Sequence, residues 1–153
     1  MYEEVFLTHS TEETEAVGAT LAEKIKAESL PPFVALYGDL GVGKTAFVRG
    51  FASVFCEKVA VRSPTFALVN EYRGKQTTLF HFDMYRIESE DDLFSIGFDD
   101  YLSRDGIILT EWSENIPFAL PDTYVEVVIR KNNSAMPDHR EIVIRSRYVD
   151  SGT

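Results

Sequence analysis

The sequence predicts an α/β fold: one domain over 1–153, built on a mixed sheet with helices on both faces and antiparallel additions. Three observations carry the prediction. Apolar β-rich runs and helix-spaced segments interleave along one chain of ordinary globular composition. One passage runs strand, loop, helix through Gly38-Asp39-Leu40-Gly41-Val42-Gly43-Lys44-Thr45, which fits G-x-x-x-x-G-K-[ST], the phosphate-binding P-loop. Further strands follow with turn signals between them, the pattern of antiparallel pairs. Together these give a P-loop NTPase-like core with extra strands.

Each element has a local reason. Val5-Phe6-Leu7 reads as a short first strand. Ser10-Thr11-Glu12-Glu13 fits a capping box, and Val17, Leu21 and Ile25 recur at four-residue spacing, so a helix is expected over 11–28. Pro31-Pro32 closes that connection, and Phe33-Val34-Ala35-Leu36-Tyr37 is apolar throughout, as a buried strand requires. The P-loop helix starts near Lys44 and continues through Ala46-Phe47-Val48-Arg49-Gly50-Phe51. Val61-Arg62-Ser63-Pro64-Thr65 reads as a loop. Runs 66–72 and 77–82 are β-rich, with Arg73-Gly74-Lys75-Gln76 as the hairpin turn between them. Ser89-Glu90-Asp91-Asp92 opens a short helix through Ile96, and 99–102 is a second short helix. Gly106-Ile107-Ile108-Leu109-Thr110-Glu111-Trp112 is a buried-strand pattern that meets an acid near its end. Two strands follow near 124–130 and 141–147, with a polar turn over 132–139.

The P-loop residues divide the labour of holding phosphate. Glycines let the backbone curl so that its N–H groups point inward at phosphate oxygens. Lys44 places a cation on the β and γ phosphates, Thr45 puts a hydroxyl on Mg²⁺, and the helix start adds the positive end of its dipole. Such a metal usually needs an acid at the end of a neighbouring strand. Asp83 ends Leu79-Phe80-His81-Phe82-Asp83, and Glu111 ends Ile107-Ile108-Leu109-Thr110-Glu111. Packing explains neither, because an unpaired buried charge is costly; the other reading is an ordinary strand-end acid facing water. Thr65 lies where switch proteins close a segment over the γ-phosphate, although a plain loop threonine fits the same position. His81 alternates with Phe80 and Phe82 and reads as a satisfied structural residue rather than a ligand. Trp112 is either core or an aromatic beside the site that a partner covers.

Composition narrows the classes. There is no apolar run of membrane-spanning length and no basic-then-apolar leader, so the expected location is the cytoplasm. The single cysteine, Cys56, reads as a core or helix-end thiol. A net charge of −10 argues against independent nucleic-acid binding. Any nucleic-acid role would then pass through a partner with a basic patch; the plainer reading is solubility. No N-K-x-D or T-K-x-D element is present, which favours ATP over GTP. A small-molecule kinase and a nucleotide-gated interaction module also fit a P-loop, but no compact Arg-rich lid supports the kinase.

Four separated segments together resemble the bacterial TsaE (YjeE) family: the P-loop, Ser63-Pro64-Thr65-Phe66, His81-Phe82-Asp83-Met84-Tyr85-Arg86 and Glu111-Trp112-Ser113-Glu114. The resemblance spans nearly the whole chain. It implies a small Mg²⁺-dependent ATPase, slow alone and productive in complex. Such a protein supports threonylcarbamoyladenosine modification of tRNAs reading codons that begin with adenine. It implies the TsaD–TsaB complex as partner, with tRNA reached only through that complex. By the same resemblance Gly38, Gly41, Gly43 and Lys44 hold phosphates, and Val42 and Ala46 contribute only backbone N–H groups. Thr45 and Glu111 match the Mg²⁺ ligands, Asp83 the acid needed for hydrolysis, Thr65 the switch-like threonine and Trp112 the aromatic beside the metal-side acid. Thr11 and Arg140 are the nearest matches to nucleotide contacts at the first helix and a late strand.

Overall fold

In the computed structural model, which describes residues 2–38, 43–56, 61, 68–132 and 136–148, the strands form one sheet. They are β1 (Glu3–Thr8), β2 (Phe33–Tyr37), β3 (Val69–Arg73), β4 (Thr78–Asp83), β5 (Ile107–Glu111), β6 (Thr123–Lys131) and β7 (Arg140–Tyr148). Their order across the sheet is β1-β7-β6-β2-β5-β4-β3. The central β6, β2, β5 and β4 are mutually parallel, while β7 and β3 pair antiparallel with their neighbours. The inner position of β2 explains its unbroken apolar run, since both of its faces are covered.

Alternation along the strands assigns two cores. On one face, Val34, Leu36, Leu79, Leu109, Val127 and Ile142 pack under α1 (Thr11–Lys26) and α2 (Lys44–Phe55). On the other, Phe33, Ala35, Phe80, Phe82 and Ile108 pack with Leu93 of α3 (Glu90–Ser95) and Phe98 of α4 (Phe98–Ser103). The expected helices on both faces are therefore present.

Two glycines bring α1 and α2 together. A Cβ on Gly50 would lie 1.9 Å from the Glu15 carbonyl oxygen, and one on Gly18 2.2 Å from that of Phe47. Only hydrogen fits at either point. Arg49 and Glu15 close the same crossing with an ion pair at 2.7 Å.

Both helix starts are capped as expected, with one shift of register. Ser10 Oγ accepts the Glu13 N–H at 3.1 Å, but Glu13 Oε1 reaches the His9 N–H instead of that of Ser10. Ser89 and Asp92 repeat the arrangement, with Asp92 accepting from Glu88. The first helix ends at Lys26, short of the expected 28. Glu28 turns left-handed at φ 60°, and the Ser29 N–H bonds back to Lys24 O, which closes the helix without a glycine. The third strand starts at Val69; 66–67 of its expected span lie outside the described residues. After β5 come two 3₁₀ turns, Ser113–Asn115 and Pro117–Ala119, which the sequence pattern does not announce. No helix among the described residues is long and apolar enough to cross a membrane.

Candidate functional site

Three parallel strands end at one edge of the sheet, where β2 runs into the P-loop. Register fixes what meets there: Leu36 of β2 lies opposite Glu111 of β5, and Glu111 lies opposite Asp83 of β4. Leu36, Leu79 and Leu109 face α2, so the period-2 pleat puts His81, Asp83 and Glu111 on that face too. The carboxyl ends of parallel strands are where α/β folds hold ligands.

Gly38 at φ 148° and Gly43 at φ 101° bracket the loop in conformations that L side chains rarely adopt, so glycine is required at both. Gly43 is the N-cap of α2 and Lys44 its first residue. Lys44 turns back toward the end of β2. Its Nζ donates to the Gly38 carbonyl at 2.7 Å and sits 4.5 Å from the Trp112 ring centroid. Its partners are therefore uncharged, and among the described residues no carboxylate pairs with it. Thr45 is partly exposed on the first turn of α2, and Ala46 is buried behind it.

The two acids are buried, each about 5% exposed. Each has one oxygen committed to the protein. Asp83 Oδ1 accepts the Tyr85 N–H at 2.9 Å, and Glu111 Oε2 accepts from Nε2–H of His81. Neither Asp83 Oδ2 nor Glu111 Oε1 has a hydrogen bond to a described residue, and neither is among the buried unpartnered atoms. Two half-committed carboxylates and one hydroxyl form an incomplete set of hard oxygen donors. That is how Mg²⁺ is commonly held, with phosphate oxygens and water completing the shell.

Trp112 follows Glu111 in the left-handed region, at φ 59°. The next residue holds that turn: Ser113 Oγ is buried within 2.7 Å of Thr110 Oγ1, 2.8 Å of Thr110 O and 3.3 Å of Leu36 O. The indole thereby leans between Lys44 and the Tyr85 ring, the latter at 5.0 Å. It is half-buried, packed against the second core and standing beside the site.

A second wall comes from the sheet edge beyond β6. Thr8 of β1 lies opposite Arg140 of β7. Arg140 Nε would be 3.8 Å from a Cβ on Gly43, so this arginine borders the P-loop. Its guanidinium donates to His139 O at 2.9 Å. The His9 and His139 rings meet edge-on at 4.5 Å and tie the start of α1 to the β6–β7 turn. Thr11 is the exposed first residue of α1, at the same end of the sheet.

The structure thus assembles Gly38, Gly43, Lys44, Thr45, Asp83, Glu111, Trp112 and Arg140 around one edge. Gly41, Val42 and Thr65 lie outside the described residues. Sequence reasoning missed the bond from His81 to Glu111. The two-residue spacing puts His81 and Asp83 on one face, but the bond to Glu111 depends on how β4 and β5 pair.

Comparison with known proteins bears on the family and the fold. The family model described as "Threonylcarbamoyl adenosine biosynthesis protein TsaE" matches residues 8–142. The protein named tRNA threonylcarbamoyladenosine biosynthesis protein TsaE from Rickettsia conorii is 36% identical over 149 residues, 93% of this chain and 83% of its own. The protein of that name from Bacillus subtilis is 37% identical over 144 residues, 92% of this chain and 86% of its own. Among solved structures, the crystal structure of Bacillus subtilis YdiB superposes with a TM-score of 0.75 at 30% identity, covering 96% of this chain and 86% of that one.

Proposed function

This chain belongs to the TsaE family of threonylcarbamoyladenosine biosynthesis proteins, and on that premise we propose that it binds and hydrolyses Mg²⁺-ATP in support of that tRNA modification. It works in the cytoplasm with the TsaD–TsaB complex and meets tRNA only through that complex. The observation that carries the reading is that Asp83 and Glu111 lie opposite one another on adjacent strands at the carboxyl edge where Lys44 Nζ bonds back to Gly38.

The chemistry follows from where charge is placed. Lys44 leaves its neutral partners for the β and γ phosphates, and the α2 start aims backbone N–H groups the same way. Thr45 and Glu111 would hold Mg²⁺, which would supply positive charge against the phosphoryl group. Asp83, with one oxygen uncommitted, orients the attacking water. Arg140 lines the nucleotide beside Gly43. Thr65 acts as a switch residue over the γ-phosphate, and Thr11 contacts the nucleotide from α1. The acidic surface suits a partner that carries the basic, tRNA-facing side of the reaction.

The deciding measurement is phosphate release from Mg²⁺-ATP, alone and with TsaD–TsaB, with GTP as control. ATP-specific release that rises with the partners is expected. Lys44→Ala is expected to abolish tight ATP binding; wild-type affinity in that variant would sink the assignment.

A further inference from the structure

His81 takes no part in the phosphate chemistry above, yet it is 1% exposed at the edge where that chemistry sits. A buried imidazole beside a buried carboxylate must earn its place through hydrogen bonds. Here the contacts form a connected chain. Nε2–H of His81 donates to Glu111 Oε2. Its other nitrogen, Nδ1, then serves as acceptor, and the Tyr72 hydroxyl stands 3.5 Å from it. Tyr72 Oη in turn accepts from Asn70 Nδ2 at 3.3 Å. The Tyr72 backbone is held as well, since Cys56 Sγ at the end of α2 donates to its carbonyl at 3.3 Å. Polar contacts therefore link Asn70, Tyr72, His81 and Glu111 across β3, β4 and β5.

We propose that His81, backed by Tyr72, is a positioning residue that holds one oxygen of Glu111 and so presents the other to a divalent cation at the P-loop. Carboxylate ligands are commonly oriented by such outer hydrogen bonds, whose loss weakens metal affinity by about 10–100-fold. The proposal rests on the reading of Glu111 as a metal-side ligand. The competing account is that His81 only fills space between β4 and α2. That account predicts lost stability with no change in metal dependence.

The test is ATP affinity of the full chain measured by calorimetry across a Mg²⁺ series, with a chelator as the metal-free arm. In His81→Phe, metal-free ATP affinity should stay at the wild-type value. The Mg²⁺ concentration that gives half of the tightening should rise about tenfold or more. His81→Gln returns an N–H donor toward Glu111 and should recover most of the loss. Tyr72→Phe should shift the midpoint in the same direction by less, and serves alone if His81→Phe does not fold. Glu111→Gln separates the two ways of failing. If it leaves the Mg²⁺ midpoint at wild type, the metal reading of Glu111 fails and the proposal falls with it. If it moves the midpoint while His81→Phe and Tyr72→Phe do not, whatever their melting temperatures, the positioning role alone is overturned.

Discussion

Lys44 rests between a carbonyl oxygen and an aromatic face, and the strength of those contacts decides how readily it leaves them. A cation–π contact to a buried ammonium is worth about 2 kcal/mol, and a hydrogen bond to a charged group about 1.5–3 kcal/mol for each of the two phosphates engaged. Phosphate therefore wins the ammonium, and the Trp112 ring loses it. Trp112 is the chain's one tryptophan, so its emission reports this contact without a label. ATP titration is expected to shift that emission in the wild type and leave it unmoved in Lys44→Ala. An unmoved wild-type spectrum at saturating ATP would show that the indole and the ammonium stay together. The acids were legible residue by residue, because a carboxylate directly after an apolar run calls for an explanation beyond packing. The bond from His81 to Glu111 was not, because it depends on the β4–β5 register, which no local pattern carries.

At the scale of elements, the α1–α2 crossing sets the stiffness of the wall behind the P-loop. Gly50→Ala must move the Glu15 carbonyl or the helix itself. Overpacking of this kind costs about 1–3 kcal/mol, and each kcal/mol lowers Tm by about 2–4 °C in a domain of this size. Thermal unfolding of that variant should show the drop; an unchanged Tm would mean that the helices can separate freely. Most elements could be read in advance. Four-residue spacing and a serine cap announce α1, and an unbroken apolar run announces β2. The crossing could not be read, because a glycine inside a helix looks only like lost propensity until the opposing backbone is known. The left-handed turn at Glu28 was hidden for a related reason: nothing in a glutamate announces positive φ. Thr65, Gly41 and Val42 lie outside the described residues, so their assigned roles rest on the family pattern.

Across the whole molecule, chemistry and cavity volume occupy opposite ends. A cleft of about 1240 Å³ opens at the amino ends of the parallel strands, lined by Leu30, Phe55, Arg73 and Gly106 among others, and none of the predicted site residues borders it. The P-loop edge is the one we assign to nucleotide, because charge and register converge there. The net charge of −10 bears on partners at the same scale. If opposite charge steers association with TsaD–TsaB, the on-rate should fall steeply as salt rises from about 0.05 to 0.5 M, where the Debye length shrinks from roughly 14 to 4 Å. A flat salt profile from stopped-flow mixing would leave solubility as the only role of the charge.

The pairing of β1 with β7 joins Glu3 to Arg145 across nearly the full length of the chain. On a ribosome, β1 must wait for β7. Helix α1 and the P-loop segment emerge while β1 has no edge to join, since β6 and β7 have yet to be translated. During that interval Val5 and Leu7, which stay exposed even in the finished sheet, lie on an open strand among other nascent chains. The glutamates at positions 3 and 4 then put negative charge on the strand itself, which disfavours premature pairing, and the folded protein reuses one of them when Glu3 meets Arg145.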